Sequence, residues 1–340
     1  MPQKSPEYIN NSLGRKDICL SVFEDKQIKK LMAISAKDVQ NLRVKTGCGM
    51  MECKKALTEC NGDFEEAVKY LREKGLAVAA KKVDRIAAEG IVDILKSDDG
   101  MTTVMVEVNA ETDFVAKNAT FQEFVKGILN TISINKPADV DALLSLPYND
   151  TENTVEAELK NKIFTIGENM SIRRFALVNG VTGTYIHGKG NVGVIVKFDV
   201  DNKAAQSDEF AEFAKNICLQ VTAMNPLYLD KSNVPAEIIE NEKQILISQI
   251  KNDEKNANKP DAIVEKMVIG KINKYYDTNC LLEQIYVKDE AMNIAKYVEA
   301  TAKALNTSIS TNSFVKYEKG EGIEKKCEDF AAEIDKMIKG

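Results

Sequence analysis

The chain has 340 residues, and its 46 lysines and arginines against 52 aspartates and glutamates give a formal net charge of −6. This balance excludes a uniformly cationic surface, so we expect no direct nucleic-acid partner. A hydrophobic fraction of 44% with 29% charged residues is typical of a globular protein of two or three domains and excludes a wholly disordered chain.

The cysteine and histidine content argues against metal and disulfide chemistry. Seven cysteines without a Cys-x-x-Cys pair indicate reduced thiols and a cytoplasmic location. His187 is the single histidine of the sequence, which nearly excludes mixed Cys/His zinc sites. No segment reaches the ~20 apolar residues of a membrane helix, and the first residues lack the pattern of a secretory signal. We therefore expect no metal, no cofactor and no membrane partner.

The first part of the chain is predicted to be helical. Residues 1–32 are weakly patterned and are predicted to be a disordered extension. Residues 33–80 are predicted to form a module of three short helices. Ser35 and Asp63 each precede an apolar-periodic segment with acidic residues in its first turn, which is a helix-capping pattern.

The middle of the chain contains an internal repeat. Alternating Val104, Val106 and Val108 predict a strand, and a capping pattern at Thr120 predicts the start of an amphipathic helix. Five residues of that helix recur after 89 positions: Phe121, Glu123, Phe124, Lys126 and Ile128 match Phe210, Glu212, Phe213, Lys215 and Ile217. The repeat predicts an α+β fold in which a helix covers a small antiparallel sheet in each copy.

The copies and the flanking segments set the predicted domains. The first core subdomain is residues 81–165, and the second is residues 166–230 with 277–319. We predict that residues 173–200 form one hairpin of the second subdomain, turning near residues 188–190. The remaining segments are a projecting antiparallel helical hairpin at residues 231–276 and a C-terminal helical module at residues 320–340.

The repeat also identifies a candidate contact residue. Between strand and helix the first copy contains Phe114, whereas the second copy has a polar segment at residues 201–209 without an aromatic. The fold of each copy therefore does not need an aromatic there, so Phe114 is a candidate anchor for a partner pocket. The alternative is that Phe114 packs beneath its own domain, as most aromatics do.

Four segments resemble the elongation factor Ts family in the same order. These are LRVKTGCGMMECKKAL at residues 42–57, EVNAETDFVAKN at 107–118, GENMSIRRF at 167–175 and GEGIEKK at 320–326. The similarity runs from about residue 32 to the C-terminus. It implies a ubiquitin-associated-like (UBA-like) three-helix module, a duplicated α+β core, an inserted coiled-coil hairpin and a C-terminal helical module.

The resemblance implies a function without covalent chemistry, namely guanine-nucleotide exchange on the GTPase elongation factor Tu. The segment Thr112, Asp113, Phe114 and Val115 would enter the GTPase near its magnesium site. Phe114 would wedge between apolar side chains, and Asp113 would disturb the network that positions the ion. The resemblance leaves open whether two copies of the chain form a homodimer.

Three further residues are candidate contacts. Met50 and Met51 lie about 100° apart on a helix, so both can hardly face one small core, and thioethers suit an interface. The alternative is that one of them seals the helical module, in whose core we expect Leu42 and Cys53. His187 lies in a strand-turn segment, where a structural or interface role is expected. The resemblance places it against a more distal domain of the GTPase.

Two other classes of protein stay open from the residues. One is a ubiquitin-like or nascent-chain binding adaptor that acts through residues 35–75. The other is a cysteine-dependent enzyme that uses His187 as its base. Neither a GxxxxGK[ST] phosphate loop nor a GxGxxG segment after a strand is present, so the sequence predicts no nucleotide binding by this chain alone.

Overall fold

The computed structural model describes residues 34–253, 256 and 259–324. The predicted extension and residues 325–340 of the predicted C-terminal module therefore lie outside the described residues. Helices and small antiparallel sheets alternate along the chain, which confirms the α+β class. None of the helices within the described ranges combines the length and apolarity needed to cross a bilayer.

Helices and strands are numbered in chain order. The helices are α1 (Ala36–Thr46), α2 (Met50–Glu59), α3 (Phe64–Ala80), α4 (Asp113–Ala116), α5 (Ala119–Asn135), α6 (Val140–Leu144), α7 (Val155–Ile166), α8 (Asn202–Ala205), α9 (Asp208–Met224), α10 (Ala236–Asn252), α11 (Asp261–Asn279) and α12 (Ile294–Ala304). The strands are β1 (Glu89–Lys96), β2 (Thr102–Ala110), β3 (Met170–Asn179), β4 (Val181–His187), β5 (Val192–Val200), β6 (Ile285–Tyr286), β7 (Asp289–Asn293) and β8 (Ile309–Glu318).

The chain divides into two compact units, and the smaller is helical. It contains residues 34–84 and 159–168. The Ser35 hydroxyl accepts a hydrogen bond from the Asp38 amide at 3.1 Å, and the Asp38 carboxylate accepts one from the Ser35 amide at 3.0 Å. This reciprocal pair starts α1, and Asp63 caps α3, so both predicted caps are confirmed.

The core of the helical unit contains small and branched side chains from all three predicted helices. Its fully buried members are Leu42, Cys53, Ala56 and Ala67. The end of α7 also belongs to this unit, because Phe164 packs against the bundle and contacts α3 at Gly75. Residues 159–168 thus group with the helical unit through this aromatic contact, whereas the predicted boundary at residue 165 divides them between the two core subdomains.

The larger unit contains residues 85–158 and 169–324 and is built on two three-stranded antiparallel sheets. The strand order is β1-β2-β3 in the first sheet and β4-β5-β8 in the second. Val92, Met105 and Ile195 form a buried cluster between the sheets, with Val315 and Tyr317 packed against it. The outer face of β2 is covered by α5, so every residue of β2 is buried.

The structure confirms the internal repeat. Helices α5 and α9 begin and end 89 residues apart, and each is followed by a left-handed residue, Lys136 or Asn225. Phe121 and Phe210 occupy equivalent buried positions. The predicted cap of α5 is wrong, because the Asn118 side chain accepts from the Thr120 amide at 2.8 Å and the helix has already begun at Thr120.

One predicted hairpin is divided between the two sheets. Strand β3 pairs with β2, not with β4, and completes the first sheet. Gly180, at φ +106, interrupts the extended backbone between β3 and β4, and its amide donates to the Met101 carbonyl at 2.8 Å. Only β4 and β5 form the expected hairpin, with its turn at residues 188–190. Residues 170–179 therefore belong to the first sheet, not to the second subdomain.

The remaining predicted elements of the larger unit are present. Helices α10 and α11 pack on each other through a shared buried core of Leu246, Ile250, Val264, Val268 and Ile272. Strand β8 pairs with β5 and completes the second sheet. The chain leaves β8 at Glu318 and reaches Gly320, which lies against the start of β1.

Candidate partner-binding site

The candidate site begins where β2 leaves the first sheet. The next residue, Glu111, accepts a hydrogen bond from the Asn169 amide at 2.5 Å, and its carboxylate lies 3.5 Å from the Arg85 guanidinium. These contacts come from the segments before β1 and before β3. The entry to the following loop is therefore held on two sides.

The loop forms the one-turn helix α4. The Thr112 hydroxyl accepts from the Val115 amide at 3.4 Å and caps the turn. The Val115 side chain is only 5% exposed, and Ala116 is buried beside it. Thr112 therefore stabilises the turn as its cap, and Val115 stabilises it through burial. The predicted segment of four residues therefore contains one side chain, Val115, that is buried in its own domain.

Phe114 lies on the outer face of the turn. Its side chain is 79% exposed, so the alternative that it packs beneath its own domain is wrong. The Lys117 ammonium lies 2.5 Å from the Asp113 carboxylate and 5.8 Å from the centre of the Phe114 ring. The hydrogen bond from Lys117 lowers the pKa of Asp113, so the carboxylate is ionised at neutral pH. The turn thus presents an aromatic ring beside a charged pair.

The second copy of the repeat contains the same turn without an aromatic. Helix α8 lies 89 residues after α4, and Asp201 caps it by accepting from the Lys203 amide at 2.7 Å. Lys203 is exposed at the position that corresponds to Phe114. The one-turn helix therefore forms with a lysine at this position, and the fold does not explain the phenylalanine.

The helical unit exposes a second apolar group. Met50 and Met51 begin α2 and are 46% and 75% exposed, and Val44 at the end of α1 is 81% exposed. Neither methionine seals the bundle, so that alternative is wrong. Leu42 and Cys53 are fully buried, which confirms their assignment to the core.

His187 ends β4 and is exposed. Its Nδ1 atom lies 3.2 Å from the Tyr185 hydroxyl oxygen, a contact within its own strand. Burial raises the pKa of the Cys48 and Cys53 thiols, and it raises the pKa of Cys218 to about 12. Such thiols are poor nucleophiles at neutral pH. The described cysteines therefore give no support to a cysteine-dependent enzyme.

Sequence reasoning missed a buried ion cluster in the strand that leads to this loop. Glu107 on β2 is fully buried, 3.0 Å from the Arg173 guanidinium and 2.7 Å from that of Arg174. Its carboxylate also accepts from the Gly320 amide at 2.8 Å and from the Asn109 side chain at 3.1 Å. Burial by itself would raise the pKa of Glu107, but these four donors hold it below its ordinary value.

The fold is a duplicated α+β core with a second, helical unit, and both units carry exposed apolar side chains. The family model described as Elongation factor TS matches residues 111–321. Elongation factor Ts of Syntrophotalea carbinolica is 45% identical over 311 residues, covering 91% of this chain and 100% of that protein. Elongation factor Ts of Clostridium kluyveri is 47% identical over 311 residues, covering 90% and 99%. Elongation factor Ts of Clostridium botulinum strain 657 is 46% identical over 309 residues, covering 90% and 98%.

The chain belongs to the elongation factor Ts family, a family of translation elongation factors.

Proposed function

We propose that this chain binds elongation factor Tu in its GDP-bound form and promotes release of the GDP, so that GTP can replace it. The observation that carries the proposal is the exposed Phe114 beside the ionised Asp113, on a turn whose repeat-related copy has a lysine instead. Membership of the elongation factor Ts family supports this GTPase as the partner.

The mechanism follows from how a GTPase holds its nucleotide. Backbone amides of the phosphate loop and a magnesium ion neutralise the phosphate oxygens. Phe114 inserts between apolar side chains near the magnesium site, and Asp113 disturbs the network that positions the ion. The ion is displaced, the phosphate loop is distorted, and GDP leaves without any covalent bond being made or broken. The chain is therefore an exchange factor and not an enzyme of covalent chemistry.

The energy required exceeds what one aromatic side chain supplies. Accelerating release by ~10³ to 10⁵ needs about 4 to 7 kcal/mol, at about 1.4 kcal/mol per decade. Burying about 150 Å² of Phe114 at about 25 cal/mol per Å² supplies at most about 4 kcal/mol. Met50 and Met51 add a second contact, where flexible thioethers can adapt to the GTPase surface. His187 adds a contact to a more distal domain of the GTPase.

The proposal includes the modular organisation that the family resemblance implies. Helices α1, α2 and α3 form a UBA-like module, and α10 with α11 forms a coiled-coil hairpin. A cytoplasmic location, where this GTPase works, and the absence of a cofactor complete the proposal. The resemblance also allows a homodimer, which sedimentation of the purified chain would detect as a doubled mass.

The test is release of a fluorescent GDP analogue from purified elongation factor Tu in excess unlabelled GDP. The native chain should accelerate release at substoichiometric concentration, because each molecule acts on many GTPase molecules. Raising the free magnesium concentration should reduce the acceleration, because magnesium competes with its own displacement. Release at the spontaneous rate over the whole range of chain concentrations would overturn the proposed function.

The exposed Val44, Met50 and Met51 also suit a second candidate function, a ubiquitin-like or nascent-chain binding adaptor. In that function the helical unit would bind its partner and the turn of Phe114 would be dispensable. The two candidates are separated by pull-down of elongation factor Tu with the native chain and with Phe114→Ala. The adaptor function predicts no capture of the GTPase by either chain.

A further inference from the structure

The ion cluster at Glu107 connects the end of the described chain to β2. Arg174 donates to the Glu321 carboxylate at 2.9 Å and to the Glu318 carbonyl at 3.3 Å, and its guanidinium lies 4.2 Å from the centre of the Tyr317 ring. Arg173 donates to the Glu321 carbonyl. The two arginines therefore contact Glu107 on one side and residues 317–321 on the other.

Gly320 allows the closest approach in this cluster. Its φ is +69, and a Cβ added there would lie 2.2 Å from the Ala88 carbonyl oxygen. Only glycine fits both the left-handed backbone and this contact. Its amide can therefore reach the Glu107 carboxylate, which completes a set of charge-assisted hydrogen bonds around one buried charge.

The same cluster reaches the strand end from which the Phe114 turn begins. The Asn109 side chain donates to Glu107 and, at 3.2 Å, to the Glu89 carbonyl, and Glu89 pairs with Ala110 across the sheet. The Lys319 ammonium lies 2.5 Å from the Glu89 carboxylate. This ion pair joins residues 317–321 to the start of β1, which lies opposite the end of β2 in the sheet.

We propose that Glu107 is a positioning residue for nucleotide exchange. It holds residues 317–321 against the end of β2, and this arrangement fixes the turn that presents Asp113 and Phe114. The inference rests on the proposed function and deepens it. Because Glu107 is fully buried, it acts through Phe114 and does not touch the partner. A merely structural Glu107 would support the fold of the whole unit equally, whereas a positioning Glu107 acts on one loop.

A double-mutant cycle separates these two roles, because residues that act through one another give non-additive effects. The variants are Glu107→Gln, Phe114→Ala and their combination. The readout is the second-order rate constant of stimulated GDP release, measured well below the melting temperature of each variant. Glu107→Gln should lower this constant about tenfold in the native background. In the Phe114→Ala background it should lower it by less than about twofold.

A matched control removes the effect of general destabilisation. Gln220 is fully buried in α9 of the same unit, and its hydrogen-bond partners, Gln284 and the backbone of Ile285 and Val287, are not members of the cluster. Gln220→Leu should lower the melting temperature and leave the rate constant unchanged. Equal rate losses for Gln220→Leu and Glu107→Gln, or losses that multiply in the double variant, would overturn the inference.

A second variant serves if Glu107→Gln does not fold. Lys319→Met removes the cation that pairs with the Glu89 carboxylate at the edge of the cluster, and it should lower the rate constant about threefold, again only when Phe114 is present. Full activity of Lys319→Met would contradict the inference.

Hydrogen exchange of the chain without its partner supplies a readout that does not depend on the proposed function. Amides of residues 111–118 should exchange faster in Glu107→Gln, and those of α10 and α11 should not change. Unchanged exchange at residues 111–118 would overturn the inference even if the native chain is active. Failure of the native chain to release GDP would overturn the proposed function instead.

Discussion

Replacing Phe114 with alanine removes the aromatic contact and leaves the fold of the chain in place. The ring is 79% exposed, so its loss should change the free energy of unfolding by less than about 0.5 kcal/mol. An aromatic anchor at the centre of an interface is worth about 2 to 4 kcal/mol. At about 1.4 kcal/mol per decade, the second-order rate constant of stimulated GDP release should fall about 30-fold to 1000-fold.

The assay follows a fluorescent GDP analogue by stopped flow, with thermal unfolding of each variant measured in parallel. Lys203→Ala is the matched control, because Lys203 is exposed at the corresponding position of the repeat. It should retain the native rate constant. The reasoning is refuted if Phe114→Ala keeps the native rate constant, or if it loses activity only in proportion to a lowered melting temperature.

Three further experiments test separate parts of the proposal. Replacing Met50 and Met51 together with alanine should weaken binding to elongation factor Tu about tenfold in a fluorescence titration, and the melting temperature should stay unchanged. By contrast, Leu42→Ala removes a buried core side chain and should destabilise the chain by about 2 to 5 kcal/mol. The pKa of Glu107 is lower in the folded chain than its ordinary value of 4.5, so its stabilising contribution is present above that pH and is lost as the pH falls below it. Urea unfolding between pH 7 and pH 3 should therefore show a steeper loss of stability in the native chain than in Glu107→Gln, and parallel curves would contradict this. Finally, GDP should weaken binding of the chain to the GTPase by the same factor by which the chain weakens binding of GDP to the GTPase, because the coupling is reciprocal. Unequal factors in matched titrations would exclude a single coupled equilibrium.

Much of the fold was predictable because the repeat is visible as matching residues at a constant spacing in the sequence. The spacing that relates Phe121 to Phe210 also relates the ends of α5 and α9, since both helices bury the same face over a sheet. Ser35 and Asp63 were identifiable as caps because the bonds they make are local. The division between β3 and β4 was not predictable, since continuous strand-like residues give no indication of which sheet each part joins.

The candidate site was predictable only in part. The comparison of the two copies singled out Phe114, but its exposure depends on how the turn sits on its own domain. Nothing in the sequence indicated that Glu107 is buried, because its alternation with Val106 and Val108 assigns it to the polar face of a strand. In the structure that face packs against the second sheet, so the carboxylate is buried and needs partners from segments distant in sequence.

The central claim is tested most directly by mixing the native chain, at a tenth or less of the GTPase concentration, with elongation factor Tu loaded with fluorescent GDP. Nearly all of the label should leave, at a rate that rises in proportion to the concentration of the chain. Release of only a stoichiometric fraction, or release at the spontaneous rate, would contradict the claim.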